Sequence, residues 1–285
     1  MRLLSWNVQW ARGADGVVAP ERLIEHLRRI GPADVICLQE VAARFPGLPG
    51  GGQADLPALL QKAFPGYQGC YGPALDVPGE RGERATFGNL ILSRYAMGQV
   101  FRHLLPCPPE RGVPSMHRGC LETVLETPFG PIRILTTHLE YYSRRQRLAQ
   151  IRAIQDVQRE VATNQPATPT AETSAAFSPR PRPVSAVLCG DFNCSPGSDE
   201  YQMIVEGEIE KPMWRDAWSV SHPGEAHAPT VGLHGAEWPD HAYCCDFMFV
   251  TPDLVPRVKC MEVAGWTDAS DHQPLLLEMS AGSPA

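Results

Sequence analysis

The chain has 285 residues, 43% of them hydrophobic and 20% charged, a balance ordinary for a globular enzyme and sufficient for one large α/β domain. Its net charge of −7 argues against tight, non-specific coating of nucleic acid, although a local basic cleft would still permit a nuclease. No apolar run approaches the ~20 residues that a membrane span needs. Met1 to Asn7 leads straight into an apparent strand, without the longer apolar stretch and small-residue cleavage site of a secretory signal. A cytoplasmic protein with no obligate protein partner is therefore expected.

Residues 2–8 alternate as a strand. Pro20 opens a helix whose apolar positions Leu23, Ile24, Leu27 and Ile30 follow helical spacing, and Gly31-Pro32 stops it. Asp34 to Gln39 is the nearly continuous apolar run of a buried strand. After a Gly/Pro-rich loop at 46–52, Asp55 is placed to cap a short helix reaching Phe64. Strands are expected at 89–93 and 99–105, and a hairpin of 119–126 with 131–138 turns on Thr127-Pro128-Phe129-Gly130. Ser143 and Gln146 form a capping-box pattern for a long helix. Its apolar face is Leu148, Ile151, Ile154, Val157 and Val161, and its arginine face (Arg144, Arg145, Arg152, Arg159) reads as solvated.

Residues 163–183, rich in Pro, Thr, Ala and Ser, look like a flexible surface insertion. Strands then follow at 184–189, 245–250, 258–263 and 274–279. This order predicts a single domain over 1–280, two packed sheets with helices outside. Nine cysteines, none in a Cys-x-x-Cys pair, make a zinc framework unlikely, and Cys37 and Cys189 sit in apolar runs as buried thiols.

Polar residues recur just after the apolar strands: Asn7, Glu40, His138, Asp191 with Asn193, and Asp246 after Cys244-Cys245; Asp271 with His272 precedes the last strand. Strand ends in layered α/β folds converge on one rim. Together these residues offer hard oxygen donors that suit Mg²⁺ or Mn²⁺, with two histidines and two carboxamides. No HExxH, phosphate-binding P-loop or GxSxG elbow is present.

The ordered set SWNVQ (5–9), LQEV (38–41), FGNLILSR (87–94), TTHLEYYS (136–143), GDFN (190–193), CDFMFV (245–250) and SDHQPL (270–275) resembles the endonuclease/exonuclease/phosphatase superfamily over nearly the whole chain. That resemblance implies a four-layered α/β sandwich, two mostly antiparallel sheets flanked by helices, and a divalent-metal-dependent phosphoesterase. The expected substrate is a phosphodiester, as nucleic acid or as a small or lipid-headgroup diester. A phosphomonoesterase acting on a sugar or inositol phosphate is the alternative, and a non-catalytic binding protein the third reading.

The resemblance also implies roles. Glu40 would be the principal metal ligand, with Asn7 and Asp271 in or behind the coordination shell. Asp246 would orient His272 as general base, with Asp191 its rival. His138 and Asn193 would donate to phosphoryl oxygens. Arg118 is the candidate phosphate clamp, and Asn89 would support His138. Repair nucleases of this family usually carry Thr-Lys after the metal-binding Glu, and Val41-Ala42 stands here, which lowers the expectation of an abasic-site enzyme. The segment 217–241, with Trp218, His222, His227, His234 and Trp238, reads as a structured surface loop that could also border the substrate mouth. Arg118 is the one cation placed at the rim, so diesters are expected to react better than dianionic monoesters, unless Arg81, Arg84 or Arg111 folds over it.

Overall fold

The computed structural model of the chain describes residues 1–80, 82–164, 178, 180–206, 213–237 and 239–282. Two six-stranded sheets carry the architecture. The first contains β1 (Arg2–Asn7), β2 (Val35–Ala43), β3 (Gln68–Pro78), β4 (Arg84–Ser93), β11 (Val258–Val263) and β12 (Leu275–Met279). They run in the order β11-β12-β1-β2-β4-β3. The second contains β5 (Met97–Leu104), β6 (Gly119–Thr127), β7 (Gly130–His138), β8 (Ala186–Asp191), β9 (Arg215–Asp216) and β10 (Asp246–Val250), in the order β5-β6-β7-β8-β10-β9. Among the described residues only β1–β2 and β7–β8 pair in parallel, and each of these two crossovers runs through a helix, the usual connection between parallel strands.

Helices α1 (Pro20–Ile30) and α2 (Leu56–Ala63) cover the outer face of the first sheet, where Leu23, Leu27 and Leu60 pack on Trp6, Leu38 and Leu90. Helices α3 (Arg144–Thr163) and α4 (Asp199–Glu206) cover the second, where Ile151, Ile154 and Ile204 meet Leu135, Leu188 and Phe249. A short α5 (Ala217–Ser221) lies near β10 and β11. The central core lies between the sheets and includes Leu3, Val35, Ile91, Leu121, Ile134, Val187, Met248 and Leu277. The result is the four-layered sandwich that the sequence led us to expect.

Several local readings hold. Pro20 occupies the first turn of α1, Gly31 ends it at φ 96°, and the Asp55 side chain accepts from the Ala58 N–H at 3.2 Å. The arginine face of α3 is solvated and paired, Arg144 with Asp199 and Arg159 with Asp156. All nine cysteines are free thiols.

Other readings need correction. The strand expected at 89–93 begins at Arg84, and β3 was not anticipated because its two glycines, two prolines and half-exposed edge position obscure the alternation. Helix α4 was also missed. Only half of the capping box forms. Ser143 Oγ accepts from the Gln146 N–H at 3.1 Å, but the Gln146 side chain donates to the Pro108 carbonyl at 3.0 Å instead of returning to Ser143. Residues 165–177 and 179 of the expected insertion lie outside the described residues. Its C-terminal end is anchored: Arg182 forks onto buried Glu122 at 2.9 and 3.0 Å and lies over the Phe101 ring.

Candidate active site

Period-two alternation positions most of the site. Leu3 on β1, Val35 and Cys37 on β2, Ile134 on β7, Val187 and Cys189 on β8, and Met248 on β10 all point into the inter-sheet core. At the ends of these strands, or mid-strand for Gln39, the same parity gives Asn7, Gln39, His138, Asp191 and Asp246. Apolar side chains thus give way to polar ones along one seam. The seam is bonded across the two sheets: Gln39 Nε2 donates to Thr136 Oγ1 at 2.8 Å, and Asn7 Nδ2 donates to Asp191 Oδ2 at 2.9 Å.

Glu40 is out of phase with this pattern and should face the helices. A bulge corrects it. The pairing of β2 with β4 shifts between Leu38 and Val41, so that Gln39 and Glu40 together oppose Asn89. Glu40 itself adopts φ 55°, a strained backbone for a residue with a side chain. The turn brings its carboxylate to the seam, where Oε1 accepts from Asn7 Nδ2 at 2.9 Å.

Asp191 is held on both oxygens, by Asn7 and by the Asn193 N–H at 2.9 Å. The preceding Gly190 cannot be replaced without backbone movement, because a Cβ there would sit 1.9 Å from the Thr137 carbonyl oxygen. Asn193, also left-handed at φ 51°, donates through Nδ2 to the Leu139 carbonyl at 2.9 Å. His272 Nδ1 donates to Asp246 Oδ2 at 2.9 Å, while Nε2 faces Asp191 Oδ2 at 3.7 Å. His138 stands 3.5 Å from Asp191 and 3.8 Å from Glu40, with Arg118 Nη1 3.0 Å from its ring.

A cavity of about 690 Å³ opens on this seam and is lined by Glu40, Arg118, His138, Asp191, Asn193, Asp271 and His272. Asn7 and Asp246 lie just behind it, buried against the residues they orient. Asn89 makes no hydrogen bond to His138. Its amide donates to the carbonyls of Gly119 and Thr136, next to Arg118 and two residues before His138. Asp271 accepts from Gln9 Nε2 at 2.7 Å. Arg84 pairs with Asp76 away from the cavity, Arg111 is not among its lining residues, and Arg81 lies outside the described residues.

Burial dominates the electrostatics of the seam. Burial, then repulsion from Asp271, raises the Glu40 carboxyl to about 7. Burial likewise raises Asp191 to about 6. Burial and the Arg118 charge push His138 well down, so its ring is neutral and can accept from the guanidinium. For His272 burial acts downward, but the Asp246 and Asp191 carboxylates outweigh it and the net shift is upward. A ligand oxygen or nitrogen from each of Glu40, His138 and Asp191 lies within 4.8 Å of the others, as do an Asp191 oxygen, the Cys245 Sγ and a His272 ring nitrogen. The first group fits a hard divalent cation: it offers two buried carboxylates whose charged forms burial disfavours, a cost that a bound cation would offset. Asp271 stands outside both groups.

Sequence reading passed over several residues that build the site. Thr230, fully buried, donates to Asp246 Oδ2 at 2.6 Å and fixes the carboxylate that fixes His272. Glu140, also buried, accepts from Arg118 Nε at 3.2 Å and from the Tyr142 N–H at 3.0 Å. Its place two residues after His138 was the available signal. Within 217–241, His227 is tied to Asp216 and His222 stacks on Trp218. His234 reaches the Gly265 carbonyl, and Trp238 lies outside the described residues. Among the described residues of the segment, Val231 and Pro239 border the cavity.

This seam, in this fold, defines a class of proteins that act on phosphate esters. The chain belongs to the Endonuclease/Exonuclease/phosphatase family, whose sequence model matches residues 4–272. No curated protein sequence matches the chain at a significant level. Among solved structures it is similar to an endonuclease/exonuclease/phosphatase from Beutenbergia cavernae, with 24% identity and TM-score 0.70, covering 100% of this chain and 72% of that one. It is similar to a mannosyl-6-phosphatase from Bacteroides thetaiotaomicron, with 16% identity, TM-score 0.67 and coverage of 98% and 99%. A 3′ phosphatase from Neisseria bound to product DNA hairpin shares 17% identity at TM-score 0.61, with coverage of 98% and 99%. At these identities the likenesses speak for the fold. Among the described residues, no helix is long and apolar enough to cross a membrane.

Proposed function

We propose that the protein is a Mg²⁺- or Mn²⁺-dependent phosphodiester hydrolase. The observation that carries this reading is the meeting of Glu40, Asn7, Asp191, His138 and His272 at one end of the inter-sheet seam, open to a cavity. Glu40 would hold the divalent ion with Asp191 and His138 beside it, and the bound ion would supply charge for a phosphoryl oxygen and the leaving alkoxide. Asn7 orients both Glu40 and Asp191 through one amide. Asp246, itself fixed by Thr230, holds the proton on His272 Nδ1 and leaves Nε2 free to exchange one with water. Arg118, oriented by Glu140 and in contact with the His138 ring, would supply positive charge to the phosphoryl oxygens.

Diesters are preferred because a dianionic monoester needs more positive charge at its terminal oxygens. Among the described residues Arg118 is the one Lys or Arg that lines the cavity, and Glu140 offsets its charge. The phosphomonoesterase reading is favoured by a different observation: two of the proteins that share the fold are phosphatases by name. A panel of bis-p-nitrophenyl phosphate, p-nitrophenyl phosphate, plasmid DNA, RNA and sphingomyelin, with Mg²⁺, with Mn²⁺ and with EDTA, separates the readings. Metal-dependent cleavage with a diester preferred supports the proposal. A clear preference for the monoester overturns the diester assignment, and full activity in EDTA overturns the metal.

A further inference from the structure

One wall of the cavity takes no part in the chemistry above. Trp10, Phe45, Leu48, Leu75, Phe87 and Met116 line it. It is assembled from the left-handed turn after β1, the loop after β2, the facing strands β3 and β4, and the segment before β6. Three of its rings form a contiguous cluster, with the Phe87 centroid 6.4 Å from Trp10 and 5.8 Å from Phe45. The wall adjoins the polar seam directly: Phe87 and Met116 share a small recess with Glu40, Arg118 and His138.

From this wall we infer, building on the phosphodiesterase reading, that the alcohol esterified to the phosphate is apolar, an alkyl or lipid-like chain rather than a polynucleotide. Two observations carry the choice. The wall mixes aliphatic Leu48, Leu75 and Met116 with its rings, so its surface suits a chain more than a set of stacked bases, which favour exposed aromatic platforms in a cationic groove. The cations next to the wall residues in the chain are neutralised: Arg12, two residues after Trp10, by Glu237, and Arg44, which precedes Phe45, by Asp55. A polyanion tracking away from the seam would find neither of these unpaired. An apolar chain gains instead from leaving water.

The test is a series of p-nitrophenyl methyl, butyl and hexyl phosphates, assayed with Mg²⁺ or Mn²⁺ on wild type, Leu48→Gln and Phe45→Ser. Leu48 and Phe45 are half-buried and lie on a loop, and circular dichroism checks that each variant is folded. Burying a methylene favours binding by about fourfold, so kcat/KM should rise at least ~10-fold from methyl to butyl and further to hexyl. Both variants should lower the hexyl-to-methyl ratio several-fold. A flat series in a metal-dependent enzyme, unchanged ratios in both variants, or an oligonucleotide cleaved better than the hexyl ester would overturn the inference. If no ester is cleaved, the phosphodiesterase reading has failed, and calorimetry with methyl-, butyl- and hexylphosphonate decides the wall separately. Affinity rising with chain length supports it, and constant affinity overturns it.

Discussion

The Nδ1 atom of His272 lies 2.9 Å from Asp246 Oδ2, and both residues are buried. A carboxylate so placed fixes the tautomer and supports the charge that the imidazole carries when it takes a proton. The two side chains should therefore act as one unit. His272→Ala and Asp246→Ala are each expected to lower kcat by ~10²–10⁴-fold, and the double variant by little more than the worse single one. Losses that multiply would show independent roles and leave Asp191 as the base.

Glu40 links metal, protons and stability. Its carboxyl is raised from 4.5 to about 7 by burial and by Asp271. A raised carboxyl stabilises the fold fully below its unfolded value, and that contribution is lost as pH rises through about 7. Divalent cation binds the ionised form, so Mg²⁺ or Mn²⁺ should raise Tm more at about pH 8 than at about pH 5.5. Glu40→Gln should raise the Tm of the metal-free protein at the higher pH and abolish turnover. Thermal scans with and without EDTA at both pH values measure this. An equal metal effect at both pH values would speak against Glu40 as the ligand.

Away from the site, Glu122 is fully buried and faces Arg133, Arg182 and His103. Burial acts to raise its carboxyl, but the bonds from His103 and Arg182 and the charge of Arg133 hold it at about 2. A depressed carboxyl stabilises the fold above its unfolded value of 4.5, and this is lost as pH falls from there toward about 2. Glu122→Gln leaves the buried Arg133 without its carboxylate and should cost about 3 kcal/mol at neutral pH. Urea unfolding of both proteins should show the gap narrowing as pH falls through the range from 4.5 to about 2.

Arg182 also limits how much of the Pro/Thr/Ala-rich segment can be removed. A short Gly/Ser bridge in place of residues 165–179 is expected to change stability by less than ~1 kcal/mol, since doubling a loop costs only ~0.6 kcal/mol. Extending the deletion through Arg182 removes its fork to Glu122 and should cost about 1–3 kcal/mol more. Denaturation midpoints of the two deletions compare the effects. Loss of activity in the shorter deletion would mean that the segment reaches the substrate.

Alternation with period two was legible in the sequence, and it brings Asn7, His138, Asp191 and Asp246 to one seam, because each stands at an end of an apolar strand whose parity the core dictates. The caps at Asp55 and Ser143 were legible for a similar reason: they depend on residues three positions apart. The placement of Glu40 was not legible from parity, which points it at the helices. A bulge opposite Asn89 reverses it, and a bulge is a property of two paired strands rather than of either one. Thr230 and Glu140 act across 16 and 22 residues of chain, on Asp246 and Arg118, through hydrogen bonds that no local pattern announces. The apolar wall from Trp10 to Met116 gathers five separate segments, each with its own local reading. Only their packing together leaves those side chains facing the same cavity.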